Sequence, residues 1–192
     1  MRTFIGLEFD RKLKEKLFTI QNILKVDTIK GSWVNNSNFH MTLKFLGEIK
    51  EEQIYDIGDM LENIAYSYSP IQLSLDELGY FNRKNEEYGV IWISLKNELL
   101  KLNQIYDIIE KEVQTIGFEI DTRRFKPHIT IGRRIIINKP FNEIKEIVKD
   151  ELKYDFILDN LALMKSEEIM NKRVYTSIKS YKLGNNLKNN HR

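Results

Sequence analysis

Only three histidines occur in the 192 residues, and two of them head the same short pattern. The first is Phe39-His40-Met41-Thr42-Leu43 and the second is Pro127-His128-Ile129-Thr130-Ile131. In a β-strand, residues i and i+2 share a face. His40 and Thr42 then look one way, and Met41 and Leu43 look the other. His128 and Thr130 share a face in the same manner, with Ile129 and Ile131 behind. Each strand offers an imidazole beside a hydroxyl, held from behind by apolar side chains, which is a firm base for a reactive site. A lone strand histidine is commonly structural. Two in one frame, each with threonine two places on, point to a device used twice.

Two imidazoles and two hydroxyls suit acid–base chemistry at phosphorus. Imidazole titrates near pH 6.5, so one ring can be neutral while its partner is protonated. One removes a proton from water and the other protonates a departing sugar oxygen. The hydroxyls donate to non-bridging phosphate oxygens as negative charge grows there. In-line displacement places base and acid on opposite sides of phosphorus, which two walls of a groove can supply. Zinc is a poor rival. Two histidines without a third His, a Cys or a carboxylate cluster, and without HxH or HExxH spacing, make a weak ligand set. No metal or other cofactor is expected. No GxSxG elbow is present, although a serine triad assembles in space and sequence alone leaves it open.

The elements that must carry these groups alternate along the chain. "RTFIGLEF" reads as a strand, and Asp10 can cap a helix with Leu13, Leu17, Ile20 and Leu24 on one stripe. "VDTIKGSWVNNSN" reads as a turn-rich connection before the first histidine strand. A second helix carries Ile54, Ile57 and Leu61. "PIQLSLDELGY" and "VIWISL" form a hairpin. A third helix runs from Asn97 to about Thr115 and ends at Gly117. After the second histidine strand come a short helix near 141–150 and two closing strands, "KYDFILDNLALMKS" and "VYTSIKSYKL". A long helix precedes each histidine strand, which suggests two related halves. No linker rich in Pro, Gly or Ser separates them, so residues 1–184 are expected to form one bilobal domain. Residues 185–192, including His191, read as a disordered tail.

Composition narrows the setting. At 42% hydrophobic and 30% charged residues, the chain can bury a sizeable core and stay soluble. The net charge of +2 is too small to mark a nucleic-acid binder by itself. A local basic surface is sought around Arg123, Arg124, Lys126, Arg133 and Arg134. Absence of cysteine excludes disulfides and thiol nucleophiles. No apolar run approaches the ~20 residues of a membrane span, and "MRTFIGLEFDRK" is too charged and too short in its apolar part to be expected as a signal peptide. The expectation is a cytoplasmic monomer without a membrane partner.

The paired motifs resemble the two-histidine (2H) phosphoesterase superfamily. The flanks "GSWVNNSNFHMTLKFLGEI" and "GFEIDTRRFKPHITIGR" are similar to its RNA 2′,3′-cyclic phosphodiesterase branch, also described as 2′-5′ RNA ligases. The resemblance implies an α+β bilobal fold, two pseudo-symmetric lobes with antiparallel sheets lining a central groove and helices outside. It implies hydrolysis of RNA 2′,3′-cyclic phosphate ends to 2′-phosphates, with RNA ends or small cyclic nucleotides as substrates. By that resemblance His40 is the acid and His128 the base, and Thr42 and Thr130 hold the phosphate. Arg133 lies where an arginine approaches it, and Trp33 and Phe45 lie where aromatics border the nucleotide. Alternation argues against Phe45, which it turns toward the core. It puts Lys44 on the His40 side, at the groove rim. Two alternatives are a 2′-5′ oligonucleotide phosphodiesterase or ligase, and an RNA-end binding module without catalysis.

Overall fold

The computed structural model describes residues 1–184, and the expected tail with His191 lies outside them. The first apolar run folds as β1 (Arg2–Glu8). Asp10 then starts α1 (Arg11–Lys25), its carboxylate accepting from the Leu13 N–H at 2.8 Å. All four stripe positions of α1 are essentially inaccessible. The connection that follows contains a strand that sequence reasoning missed, β2 (Thr28–Trp33). Most of its side chains are exposed, so it shows no apolar alternation, and only its pairing with a neighbour defines it.

A 3-10 turn (Asn36–Asn38) leads into β3 (His40–Glu48), followed by α2 (Gln53–Ser67). The expected hairpin is β4 (Ile71–Lys84) and β5 (Glu87–Asn97), and α3 (Leu99–Thr115) follows it. Then come β6 (His128–Ile137) and α4 (Phe141–Val148). The stretch 153–166, read as one strand, is two: β7 (Asp155–Leu158) and β8 (Asn160–Ile169) break at Asp159 and join different sheets. The last strand is β9 (Lys172–Lys182). Among the described residues no helix is long and apolar enough to cross a membrane.

Two antiparallel sheets result, in the orders β3-β1-β8-β9 and β2-β6-β5-β4-β7. The repeat is visible in them: β1 lies beside β3 as β5 lies beside β6. Yet the halves of the chain are not the lobes. β4, from the first half, pairs with β5 in the second sheet, while β8, from the second half, pairs with β1 in the first. Each sheet needs strands from both halves. One contiguous apolar cluster, with Leu7, Met41, Ile91 and Ile129 among its members, joins the two sheets behind their histidine faces.

Both histidine strands carry a β-bulge just after the threonine. Along β1 and β3, Ile5 faces Lys44 and the next residue, Gly6, faces Thr42, so Leu43 is an extra residue. Along β5 and β6, Ile91 faces Gly132 and Trp92 faces Thr130, so Ile131 is extra. Two consecutive residues are buried in each case, Leu43 with Lys44 and Ile131 with Gly132. Alternation therefore slips by one. The Ile131 carbonyl accepts from Val34 N–H at 3.0 Å and from the buried Gln21 side-chain amide at 2.7 Å, so α1 is fastened to the second bulge.

This corrects the reading of two residues. Lys44 is not at the rim: it is 5% exposed and points into the interior. Its Nζ donates to Glu110 Oε2 and to the Glu119 carbonyl, both at 2.7 Å, and Glu110 Oε2 also accepts from the Asp121 N–H at 2.8 Å. Phe45, which alternation sent to the core, is 65% exposed. Removing one partner of a buried pair leaves the other charge uncompensated. Lys44→Met should lower unfolding stability by about 3–5 kcal/mol in urea titrations, and adding Glu110→Met should recover a large part of that loss.

Candidate active site

The bulges decide what the two strands present to the space between the sheets. A cavity of about 680 Å³ opens there. His40, Thr42 and Phe45 line it from β3, and His128, Thr130 and Arg133 line it from β6. Phe45 and Arg133 occupy the same place in the repeat, five residues after their histidines, and without the bulge each would face the core. Trp33, at the end of β2, is the seventh anticipated residue on the wall. It also packs on the core, because Gly132 leaves room for its ring: a Cβ there would come within 3.1 Å of Trp33 Cε3.

The two imidazoles are held alike. His40 Nδ1 lies 2.7 Å from the Asn38 carbonyl, and His128 Nδ1 lies 2.7 Å from the Lys126 carbonyl. A carbonyl only accepts, so each Nδ1 carries the proton and each neutral ring keeps Nε2 as its free base. His40 Nε2 is 2.9 Å from Thr42 Oγ1, within its own motif. Aromatic rings wall both imidazoles. Phe4 lies 4.7 Å from His40, and Tyr175 meets it edge-on at 4.9 Å. Phe81 meets His128 edge-on at 5.1 Å, with Trp92 at 6.4 Å. A side chain at Gly79 would collide with the Trp92 ring, so that glycine seats the tryptophan.

Sequence reasoning missed part of the wall. Asn38, Tyr175, Arg2, Lys172 and Arg173 all line the cavity. Asn38 could have been suspected from its place two residues before His40. Tyr175 and the other three carry no local signal, because they reach the cavity only through sheet pairing. With Arg133 the lining holds four cationic side chains and no carboxylate, although the whole chain is nearly balanced in charge. Of the basic stretch singled out in the sequence only Arg133 is on the wall; Arg123, Arg124, Lys126 and Arg134 are not, and Arg123 is paired with Asp121. Among the described residues no three His, Cys, Asp or Glu side chains cluster to hold a metal ion.

Burial depresses both rings. His40 is pushed down to about 4, chiefly by burial. Its bond to the Asn38 carbonyl opposes this, and the positive charges of Arg133 and Lys14 add to it. His128 is also lowered by burial, against the Lys126 carbonyl and with the help of Arg133. Both rings are therefore neutral in the free protein at pH 7. A buried neutral histidine binds its proton less readily in the native state than in the unfolded chain. Its contribution to stability is complete above about pH 6.5 and is lost as pH falls toward 4. Urea unfolding across that window should show wild type losing more stability than His40→Gln. Parallel curves would refute the depressed titration.

A family model described as LigT-like phosphoesterase matches the chain twice, over residues 7–92 and 93–175. The RNA 2′,3′-cyclic phosphodiesterase of Methanocaldococcus jannaschii is 32% identical over 183 residues, covering 94% of this chain and 100% of that one. The protein of the same name from Thermotoga maritima is 32% identical over 133 residues, 69% of this chain and 70% of its own length. Among solved structures, one from Thermus thermophilus superposes with a TM-score of 0.77 at 23% identity, over 96% of this chain and 98% of that one. Escherichia coli LigT complexed with 3′-AMP gives 0.72 at 21% identity, over 95% and 97%.

Proposed function

The chain belongs to the LigT-like phosphoesterases, and from that membership we propose that it hydrolyses RNA 2′,3′-cyclic phosphate ends to 2′-phosphomonoesters without a metal. The observation that carries this reading is the matched pair of imidazoles on one cavity, each with Nδ1–H committed to a backbone carbonyl. Each Nε2 is thereby left as the group that can exchange a proton with a ligand. Relatives across the chain's length bear the name RNA 2′,3′-cyclic phosphodiesterase, which supports the choice of substrate.

In the proposed reaction His128 Nε2 takes a proton from water, and the oxygen attacks phosphorus in line with the bond to O3′. As that bond breaks, O3′ leaves on the opposite side and receives a proton from His40 Nε2. The Thr42 and Thr130 hydroxyls donate to the non-bridging oxygens, and the Arg133 guanidinium balances their charge. Phe45 and Trp33 border the nucleotide, and the carboxylate-free lining favours a polyanionic strand.

The resting protonation sets a condition on this scheme. His128 is neutral and ready as a base, whereas His40 is neutral too and must gain a proton before it can act as an acid. A phosphodiester anion beside the ring supplies the opposing charge that burial and Arg133 withhold. The acid's apparent pKa should therefore be higher in the pH profile of kcat, which reports the bound state, than in that of kcat/KM, which reports the free one.

The direct test offers an RNA oligomer ending in a 2′,3′-cyclic phosphate, in EDTA, and identifies the product. A 2′-phosphate should accumulate, and His40→Ala and His128→Ala should each slow turnover by about 10²- to 10⁴-fold. Turnover only on added metal, or a faster reaction with a 2′-5′ linkage than with the cyclic end, would overturn the reading.

A further inference from the structure

We infer that Asn38 is a positioning residue for His40, its side-chain amide pinning the turn whose carbonyl holds the imidazole to the free edge of β9. Asn38 is 7% exposed. Its Nδ2 donates to the Arg173 carbonyl at 2.7 Å, and its Oδ1 accepts from the Tyr175 N–H at 3.3 Å. These groups belong to residues i and i+2 of an outermost strand, so they point the same way, to the side where no neighbouring strand lies. The asparagine amide offers the one donor and one acceptor that a peptide group of such a strand would have offered.

The backbone carbonyl of Asn38 meanwhile accepts the His40 Nδ1–H at 2.7 Å. One residue thus grips β9 with its side chain and the imidazole with its main chain. The grip also brings the Tyr175 ring edge-on to His40. Aspartate lacks the donor and would bury a charge, serine is too short, and alanine abandons β9 altogether. The second imidazole has no such anchor: the Lys126 side chain lies over the Phe81 ring, 5.9 Å from its centre. The two rings share one backbone device, and Asn38 braces only the first.

The catalytic consequence rests on the acid role proposed for His40, so the experiment reads the ring and the reaction separately. Asn38→Ala and Asn38→Asp are compared with wild type by ¹⁵N NMR of the histidine rings and by steady-state kinetics on the cyclic-phosphate oligomer. His40 should change from a single Nδ1–H tautomer to a mixture, with His128 unmoved. In the same variants kcat should fall about 10- to 100-fold with little change in KM. An unchanged His40 tautomer, or a changed tautomer with kcat within twofold of wild type, overturns the inference. If Asn38→Ala does not fold, Asn38→Asp, which keeps the shape, carries the same readings. If wild type itself shows no turnover, the functional reading fails, and the ring spectra alone decide whether Asn38 holds the imidazole.

Discussion

A β-strand can offer only every second residue to one side, and the site in this protein depends on breaking that rule just after the threonine of each histidine strand. The inserted residue, Leu43 in β3 and Ile131 in β6, reverses the alternation after the threonine. Imidazole, hydroxyl and the side chain five places after the histidine then share one face. The two strands supply different groups at that fifth position, an aromatic ring at Phe45 and a guanidinium at Arg133. One backbone irregularity, used twice, builds a wall that is symmetric in its histidines and threonines and asymmetric in what borders them.

A bulge leaves backbone groups without ladder partners, and their satisfaction links distant parts of the chain. The Ile131 carbonyl is met by Gln21 from α1, and the Lys44 side chain, turned inward by the first bulge, is met by Glu110 and the Glu119 carbonyl. Buried polar groups of this kind are costly when unmatched, so they select one arrangement of strands and helices. The exchange of β4 and β8 between the sheets acts in the same direction. Neither half can complete its sheet alone, and the two histidine strands are therefore held against each other by both ends of the fold.

The cavity's electrostatics follow from the same packing. Aromatic rings around both imidazoles remove water and favour neutral rings, while four cationic side chains, one of them (Arg173) paired with Glu168, on a lining that holds no carboxylate favour an anion. These preferences meet only when a negatively charged ligand enters. Both rings are uncharged in the free protein, and an anion in the cavity would favour protonation of a ring beside it.

Much of this was legible from residue types at short spacing. The paired His-x-Thr strands, the α1 stripe, the central hairpin and the short α4 all follow from local periodicity, since each side chain's face is set by its immediate neighbours. The four residues of the paired motif line the cavity, as do Arg133, Trp33 and Phe45, which were anticipated through the family resemblance rather than spacing, Phe45 against the alternation argument. Local spacing could not show the bulges, because an inserted residue is defined only against a partner strand. It missed β2, which pairs without burying its side chains, and it ran β7 and β8 together because a strand's sheet is chosen by its neighbours. Nor could it bring Asn38 to Arg173 and Tyr175, more than 130 residues away. The sequence by itself determined which groups could carry protons and which faces would be apolar. The tertiary structure alone decided register, exchange and convergence, because those depend on contacts between strands that the chain separates.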